Sequence, residues 1–503
     1  MPKINDLYLR SVREFADKVA LEDPFGEMTY VALDREVGVT ASALHQAGLC
    51  TGDRLVLIGE NSIALCVLLF AASKLGASTV ISNARLSAAE IDRIVAHAEP
   101  RLIAFTIEAS PDARRHAERY QAMRMSWPDN AVSICAGTVE PNAADARDLV
   151  ERDVAVILYT SGTSGNPKGV LLTHGNLTFL AESVVRGRHL SSLDRSYGVG
   201  PYAHIAGLQQ LLGILSVGGT SLIRPRYDAA LLADALFNRG LTVLGGVPAV
   251  WTKLFDWYRK EGVVPHAPHL RCATGGGAPI TKTLRDEVRS VFDLNLNNTY
   301  GMTEATPIAY TLMDSPRADT AVGPPAAGME IKIVGENGAP VKSGDVGELH
   351  VRGPAVMAGY FKNPELTAAV LTVDGWLNTG DLARQESDSA LFIVGRTKEL
   401  IIRSGFNVYP AEVEEILNSH DSVRQSAVVG RNVADDEEVV AFVEADSDTN
   451  AAELTEYLRR YLAPYKIPSS ITIMDQMPAG ATGKILKNRL REMAAQSTAQ
   501  GVT

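Results

Sequence analysis

Cysteine is scarce in this chain, and a basic surplus is missing. Its 503 residues include four cysteines, Cys50, Cys66, Cys135 and Cys272, with no CxxC pair among them. That usage excludes a disulfide scaffold and a zinc ribbon, and fits reduced thiols in a cytoplasmic protein. Lysine and arginine number 48 against 59 aspartates and glutamates, a formal net charge of −11. Nucleic-acid binders take much of their affinity from basic residues that neutralise phosphates, so no nucleic-acid partner is expected. The longest apolar run, Ile63 to Ala72, is half the roughly 20 residues that cross a bilayer. No integral membrane association is expected. The first fifteen residues scatter their charges and contain no apolar h-region, so they do not read as a signal peptide.

What the chain does have is enough apolar residue to fold. Hydrophobic residues make up 46 % and charged residues 21 %, the balance of a globular protein. At roughly 150 residues per domain the length predicts about three structural units, or two large ones. Short continuous apolar runs at Leu55–Ile58, Ser78–Ile81, Leu102–Phe105, Val154–Tyr159, Thr242–Gly246 and Leu270–Ala273 alternate with helical stretches such as Ile63 to Leu75. Buried parallel strands joined by crossover helices give this pattern, so an α/β fold is predicted up to about residue 390. Val322 to Val351 has frequent Gly and Pro with alternating apolar positions, an antiparallel β section. From Gly395 on, the pattern predicts a small α+β domain: a strand Glu399–Ile402, a helix Ala411–Ser419, a strand Ser426–Val429 and a helix Ala451–Leu462.

The most informative segment is Tyr159-Thr160-Ser161-Gly162-Thr163-Ser164-Gly165-Asn166-Pro167-Lys168-Gly169. Small hydroxyl residues and glycines let backbone N–H groups close around an anion, and the lysine adds a point charge. It follows a predicted strand, as a phosphate-cradling loop should. It is not a Walker A loop, because Pro167 precedes the lysine and Gly169 follows it.

Further segments occur in one fixed order: Pro201-Tyr202-Ala203-His204-Ile205-Ala206-Gly207, Gly276-Gly277-Ala278-Pro279, Tyr300-Gly301-Met302-Thr303-Glu304, Trp376-Leu377-Asn378-Thr379-Gly380-Asp381, Gly395-Arg396-Thr397-Lys398-Glu399, Ser404-Gly405-Phe406-Asn407-Val408-Tyr409-Pro410 and Gly480-Ala481-Thr482-Gly483-Lys484. With the loop, these segments resemble the adenylate-forming acyl- and aryl-CoA synthetases, relatives of luciferase and of peptide-synthetase adenylation domains, from about residue 25 to 492. The resemblance implies a large N-terminal domain, residues 1–395, of stacked mostly parallel sheets and helices with a β section. A small mobile α+β domain, residues 396–503, would follow a hinge at 396–398.

The resemblance also implies the roles of the site residues. Thr160, Ser161, Gly162, Thr163, Ser164 and Lys168 would hold the triphosphate of ATP. Gly277 and Ala278 would lie along adenine, Asn298 and Thr299 would border it, and Tyr300 would stack on its face. Thr303 would bond the α-phosphate and Glu304 would hold Mg²⁺, a hard cation suited to a carboxylate plus phosphate oxygens. Asp381 would accept both ribose hydroxyls with help from Arg396. Lys484 would contact the carboxylate and α-phosphate as they meet. In the reaction the resemblance implies, the acid would attack the α-phosphorus, diphosphate would leave, and the thiol of coenzyme A would then displace AMP from the acyl-adenylate. Two anions must meet in the first step, so Mg²⁺, Lys168 and Lys484 supply the charge. His204 would gate the acyl and thiol channels, Lys398 would be the pivot, and Ser404, Gly405 and Phe406 would line the thiol tunnel.

One departure stands out. Some relatives carry lysines at the positions of Ile402 and Ser404, so charge for the CoA phosphates must come from Arg403 or elsewhere. The acyl pocket is expected along His204, Leu208, Gln209, Val247, Gly275, Gly276, Gly301 and Pro307. Its glycines leave room for a fatty chain or an aromatic ring, its apolar bias argues against a small dicarboxylate, and Gln209 and Gln210 suit a hydroxyl. The rival readings are an enzyme that loads a carrier-protein thiol in trans, a non-catalytic binding protein, and a P-loop kinase, which would release ADP instead of AMP. A monomer or homodimer is expected.

Overall fold

The computed structural model describes residues 2–125, 131–137, 142–161, 167–335, 337–404, 406–433, 436–445, 449–480 and 485–499. Its centre is built around helices that are apolar on every side. In the helix Ile63–Lys74, Ser62 caps the N-terminus by accepting from the Leu65 N–H, and every side chain from Ala64 to Ser73 is buried. A helix without a polar face must be covered all round. This one packs on the strands Arg54–Gly59 and Ser78–Asn83 on one side and on Val19–Asp23 on the other. It therefore lies in a layer between two sheets.

Among the described residues each of those sheets has eight strands. The first runs, edge to edge, through Gly359–Tyr360, Pro167–Thr173, Val154–Ser161, Ser78–Asn83, Arg54–Gly59, Leu102–Thr106, Val132–Ala136 and Met123–Arg124. Its inner strands are parallel, as the apolar runs predict, with Leu55 beside Thr79 and Val56 beside Val80. The second runs through Ala305–Tyr310, Leu296–Met302, Cys272–Gly276, Val243–Gly246, Arg195–Gly198, Thr220–Ile223, Val19–Asp23 and Gly26–Thr29. Separate apolar clusters cover the outer faces, one under the helices Ala229–Asn238, Pro248–Glu261 and Lys282–Phe292, the other under Ala88–Ala98 and Pro111–Arg119. Among the described residues no helix is long and apolar enough to cross a membrane.

The β section is an antiparallel four-stranded sheet, Glu330–Val334, Gly347–Arg352, Leu377–Gln385 and Leu391–Arg396. The predicted alternation sets its register, Ile331 opposite Val351 and Ile333 opposite Leu349. Beyond Arg396 the strands Val423–Val433, Asp436–Ala445 and Ser470–Met474 form a separate sheet, packed by the helices Pro410–Leu417, Ala451–Arg459 and Lys487–Ala499. The expected strand Glu399–Ile402 is broken. Thr397–Glu399 is a 3₁₀ turn closed by Leu400 N–H donating to the Arg396 carbonyl, and the strand begins at Ile401.

Candidate active site

In an open parallel sheet, ligands settle outside the carboxyl ends of the strands where the strand order reverses. The second large sheet reverses between Arg195–Gly198 and Val243–Gly246, which pair in parallel; the next strands go to opposite sides. The chain leaving the first strand leads to His204, and the chain leaving the second leads to Val247. Glycines crowd these ends: Gly246 lies beside Gly275, Gly275 beside Asn298 and Gly276 beside Thr299. A Cβ at Gly276 would sit 2.6 Å from the Thr299 carbonyl oxygen, so only glycine lets these two strands close here. Gly277 has φ +75 and turns the chain into Ala278.

Asn298, Thr299, Tyr300 and Gly301 stand on the strand Leu296–Met302, with Thr303 and Glu304 in the turn that follows. The Tyr300 hydroxyl donates to Asp381 Oδ2 at 2.5 Å. Asp381 is buried, and its Oδ1 faces Arg396 Nε at 3.0 Å. Burial first, and the Asp381 charge second, push the Tyr300 phenol far above its ordinary pKa, so it remains a donor at neutral pH. Tyr300, Asp381 and Arg396 thus come together from three chain segments.

The phosphate-type loop lies at the tip of an antiparallel hairpin, not between a strand and a helix. The strand Val154–Ser161 pairs directly with Pro167–Thr173, Thr160 opposite Lys168, and the helix His174–Arg188 starts only after the second strand. The helix N-terminus is therefore separated from the loop by the whole strand Pro167–Thr173. Gly162, Thr163 and Ser164 lie outside the described residues, as do Gly405 and Lys484. Lys168 Nζ sits 5.6 Å above the Tyr360 ring, and the Tyr360 hydroxyl donates to Glu304 Oε1 at 2.9 Å. One tyrosine therefore links the loop lysine to the turn carboxylate. Tyr360 was missed from the sequence; its segment, Ala358-Gly359-Tyr360-Phe361, carries no charge to mark it.

Behind these groups is a narrow, partly open crevice of about 10 Å³, room for roughly one water molecule. Gln209, Thr274, Asn297, Thr299 and Pro307 line it, together with Ser183, Gly187 and Arg188 of the helix His174–Arg188. Of the expected acyl-pocket residues, Gln209 and Pro307 face this space. Leu208 instead packs into the central core, and His204 caps the helix Ile205–Ser216, its Nδ1 accepting from Ala206 N–H. Gln210 is committed to the Gly245 carbonyl at 2.6 Å.

The family model described as AMP-binding enzyme matches residues 9–361, and its C-terminal domain matches residues 412–484. The chain belongs to the AMP-binding enzyme family. It is 34 % identical over 472 residues to a feruloyl-CoA synthase from Amycolatopsis sp., covering 92 % of this chain and 93 % of that one. It is 33 % identical over 503 residues to an indoleacetate–CoA ligase from Aromatoleum aromaticum, covering 96 % of each. The crystal structure of ATP-bound MatB from Rhodopseudomonas palustris superposes with a TM-score of 0.84 at 30 % identity, covering 98 % of this chain and 99 % of that one. With these relatives, the chain is an acid–thiol ligase.

In this AMP-binding enzyme the connection between the two parts is pinned on both sides. Arg396 is tied to Asp381, while Glu399 pairs with Lys487 Nζ at 2.9 Å, and Lys487 also meets Glu414 at 2.8 Å. Lys398 stands exposed between those ties. Ser404, at φ +52, donates from its N–H and its hydroxyl to Asp436 at 2.6 and 2.8 Å. Phe406 is 54 % exposed and stacks on Tyr465 with ring centroids 4.7 Å apart. Arg403 donates to the carbonyls of Tyr465 and Ile467, so it braces this turn.

Proposed function

We propose that this ligase joins an aromatic carboxylic acid to coenzyme A at the expense of ATP, through an acyl-adenylate. The observation that carries the reading is a pair of clusters, Tyr300 with Asp381 and Arg396, and Lys168 with Tyr360 and Glu304, joined through the short segment Tyr300–Glu304. A buried carboxylate held from two sides suits a ribose, whose adjacent hydroxyls both donate. Tyr300 offers a ring face to adenine. Lys168 and the loop N–H groups suit phosphate oxygens. Feruloyl-CoA synthase and indoleacetate–CoA ligase are named for aromatic acids, which favours an aromatic acid over a fatty chain here.

Glu304 fits a Mg²⁺ ion. Among the described residues no group of three His, Cys, Asp or Glu forms a metal cage, and Mg²⁺ takes one or two carboxylates with phosphate oxygens and water. Bound there, the ion would supply charge that offsets repulsion between the acid and the triphosphate. Tyr360 fixes one Glu304 oxygen; Thr303 would bond the α-phosphate, and Lys484, outside the described residues, would meet the reacting carboxylate. These groups position the anions and do not attack covalently. Motion about Lys398 then serves the thiol step, with Ser404, Gly405 and Phe406 along the thiol path and His204 at the channel mouth.

The test is a panel of aromatic and fatty acids with ATP, Mg²⁺ and CoA, scoring diphosphate release and thioester. Aromatic acids should give AMP, diphosphate and acyl-CoA in equal amounts. Adenylate formation without thioester from free CoA would point to a carrier-protein thiol; ADP as product would overturn the reading.

A further inference from the structure

Four arginines in the described residues have at most a tenth of their surface exposed: Arg54, Arg188, Arg224 and Arg285. Three of them find protein acceptors, although Arg54 Nη1 and Arg285 Nε and Nη2 are left without one. Arg54 donates to the carbonyls of Ala98 and Glu99, Arg224 to the Ile223 carbonyl beside the Glu22 carboxylate, and Arg285 to the Asp319 carbonyl. Arg188 is the exception. It is 9 % exposed and lines the cavity, and among the described residues its guanidinium has no hydrogen-bond acceptor and no carboxylate in ion-pair reach. The ionisable group that acts on it is the Cys272 thiol, which burial keeps protonated.

A guanidinium stays charged at neutral pH even when buried. Held without an anion it is strongly unfavourable, so its place in a cavity points to an anion that arrives with the ligand. Two further polar groups share the space. The Gln209 side chain, 6 % exposed, lines the cavity without a partner among the described residues, and Asn297 Oδ1 is buried with none. Gly245 lies against the same space: a Cβ there would sit 2.6 Å from Thr274 Oγ1 and 2.9 Å from Gln210 Nε2, and in ordinary contact with Arg188 Nη1. Thr299 and Pro307, which also line the cavity, flank the Tyr300–Glu304 segment in sequence, so the cavity adjoins the adenylating residues.

We propose that the acid activated by this enzyme carries a second carboxylate, remote from the reacting one, and that Arg188 and Gln209 receive it. A carboxylate matches the two parallel N–H donors of a guanidinium, and the Gln209 amide supplies one more. This rests on the CoA-ligase reading above. It departs from the expectation that the pocket disfavours a small dicarboxylate, which came from segments that did not include Arg188.

The test measures ATP–diphosphate exchange with matched pairs, 4-carboxycinnamate against its 4-methyl ester and glutarate against monomethyl glutarate, on wild type, Arg188→Met and Arg188→Lys. A site built to pair a charged group rejects the neutral analogue steeply. Wild type should prefer at least one diacid over its ester by about 100-fold or more in kcat/KM. In Arg188→Met that ratio should fall toward one, and Arg188→Lys should restore part of it. Met removes an unpaired buried charge, so the variant should be at least as thermally stable as wild type without ligand. Diacid should raise the Tm of wild type and not of Arg188→Met. Equal kcat/KM for diacid and ester, or a ratio unchanged in Arg188→Met, overturns the proposal while leaving the ligase reading intact. If no acid supports exchange, the ligase reading fails; the Tm comparison then decides the subsite, and no diacid-specific shift in wild type overturns it.

Discussion

Arg396 and Glu399, three residues apart, are tied to opposite parts of the molecule. Arg396 is held by Asp381 of the β section, and Glu399 by Lys487 of the last helix, which also pairs with Glu414. Lys398, between them, belongs to neither network. A rotation about its backbone would leave both sets of ion pairs intact, which is why Lys398 is proposed as the hinge.

Lys398→Pro tests this directly. Proline fixes φ near −65° and removes a pivot torsion. Adenylate formation, scored by diphosphate exchange, should persist within a few-fold, whereas thioester formation from supplied acyl-adenylate and CoA should fall by at least about 100-fold. Equal rates in both half-reactions would place the pivot elsewhere.

Asp381→Asn keeps the shape of the carboxylate and removes its charge. The Tyr300 hydroxyl and Arg396 would then share a neutral acceptor, and hydrogen bonds to charged groups contribute about 1.5–3 kcal/mol each. The KM for ATP should rise roughly 10- to 100-fold, with diphosphate exchange as the measurement. Wild type should show no titration from Tyr300 near neutrality. Its folded pKa lies above the unfolded value of about 10, so its bond to Asp381 stabilises fully below that pH and is lost as pH rises toward the folded value. An inflection in KM for ATP near pH 7 that disappears in Tyr300→Phe would refute this.

Lys487→Met should loosen the small domain. Removing one partner from a buried cluster leaves Glu399 and Glu414 uncompensated, a loss of about 3–5 kcal/mol, read as a lower Tm and faster proteolysis of residues beyond 396. Its carboxylates hold the lysine pKa above its usual value, so its contribution is present below the unfolded pKa of about 10.4 and fades as pH climbs through the folded one. Glu399 is held below the usual carboxylate range despite burial, because of Lys487. Its contribution is present above about pH 4.3 and lost as pH falls through the lowered value. Wild type should therefore gain most over Lys487→Met between those limits; a difference independent of pH would contradict the ion-pair account.

Much of this architecture was legible in the sequence where the information is local. The buried strands announced themselves as unbroken apolar runs, and Tyr300, Glu304 and Asp381 lie in short segments whose residue types match one chemistry. The loop hairpin was not legible, because Pro167-Lys168-Gly169 offers no strand pattern until Val154–Ser161 is there to pair with it. Tyr360 and Arg188 were missed for the same kind of reason. Arg186 and Arg188 both read as basic residues that suit a helix C-terminus, and only the packing of that helix against the glycine-rich strand ends turns Arg188 inward. The excess of glycines signalled space, but what faces the space is decided by contacts far apart in sequence.

Glu304 and Tyr360 offer a separable test of the cation site. Glu304→Gln retains an oxygen that can accept from Tyr360 but removes the charge a hard cation requires. The half-saturating Mg²⁺ concentration in diphosphate exchange should rise at least about tenfold and kcat should fall about 100-fold. Tyr360→Phe keeps the ring beneath Lys168 and deletes only the hydroxyl on Glu304. That carboxylate then loses its orientation and keeps its charge, so Mg²⁺ half-saturation should rise by about three- to tenfold with KM for ATP little changed. Chelation with EDTA should stop exchange in all three proteins, and excess Mg²⁺ should rescue Tyr360→Phe more fully than Glu304→Gln. If Glu304→Gln titrates with Mg²⁺ as wild type does, the cation is held by other residues and Glu304 serves only to fix Tyr360.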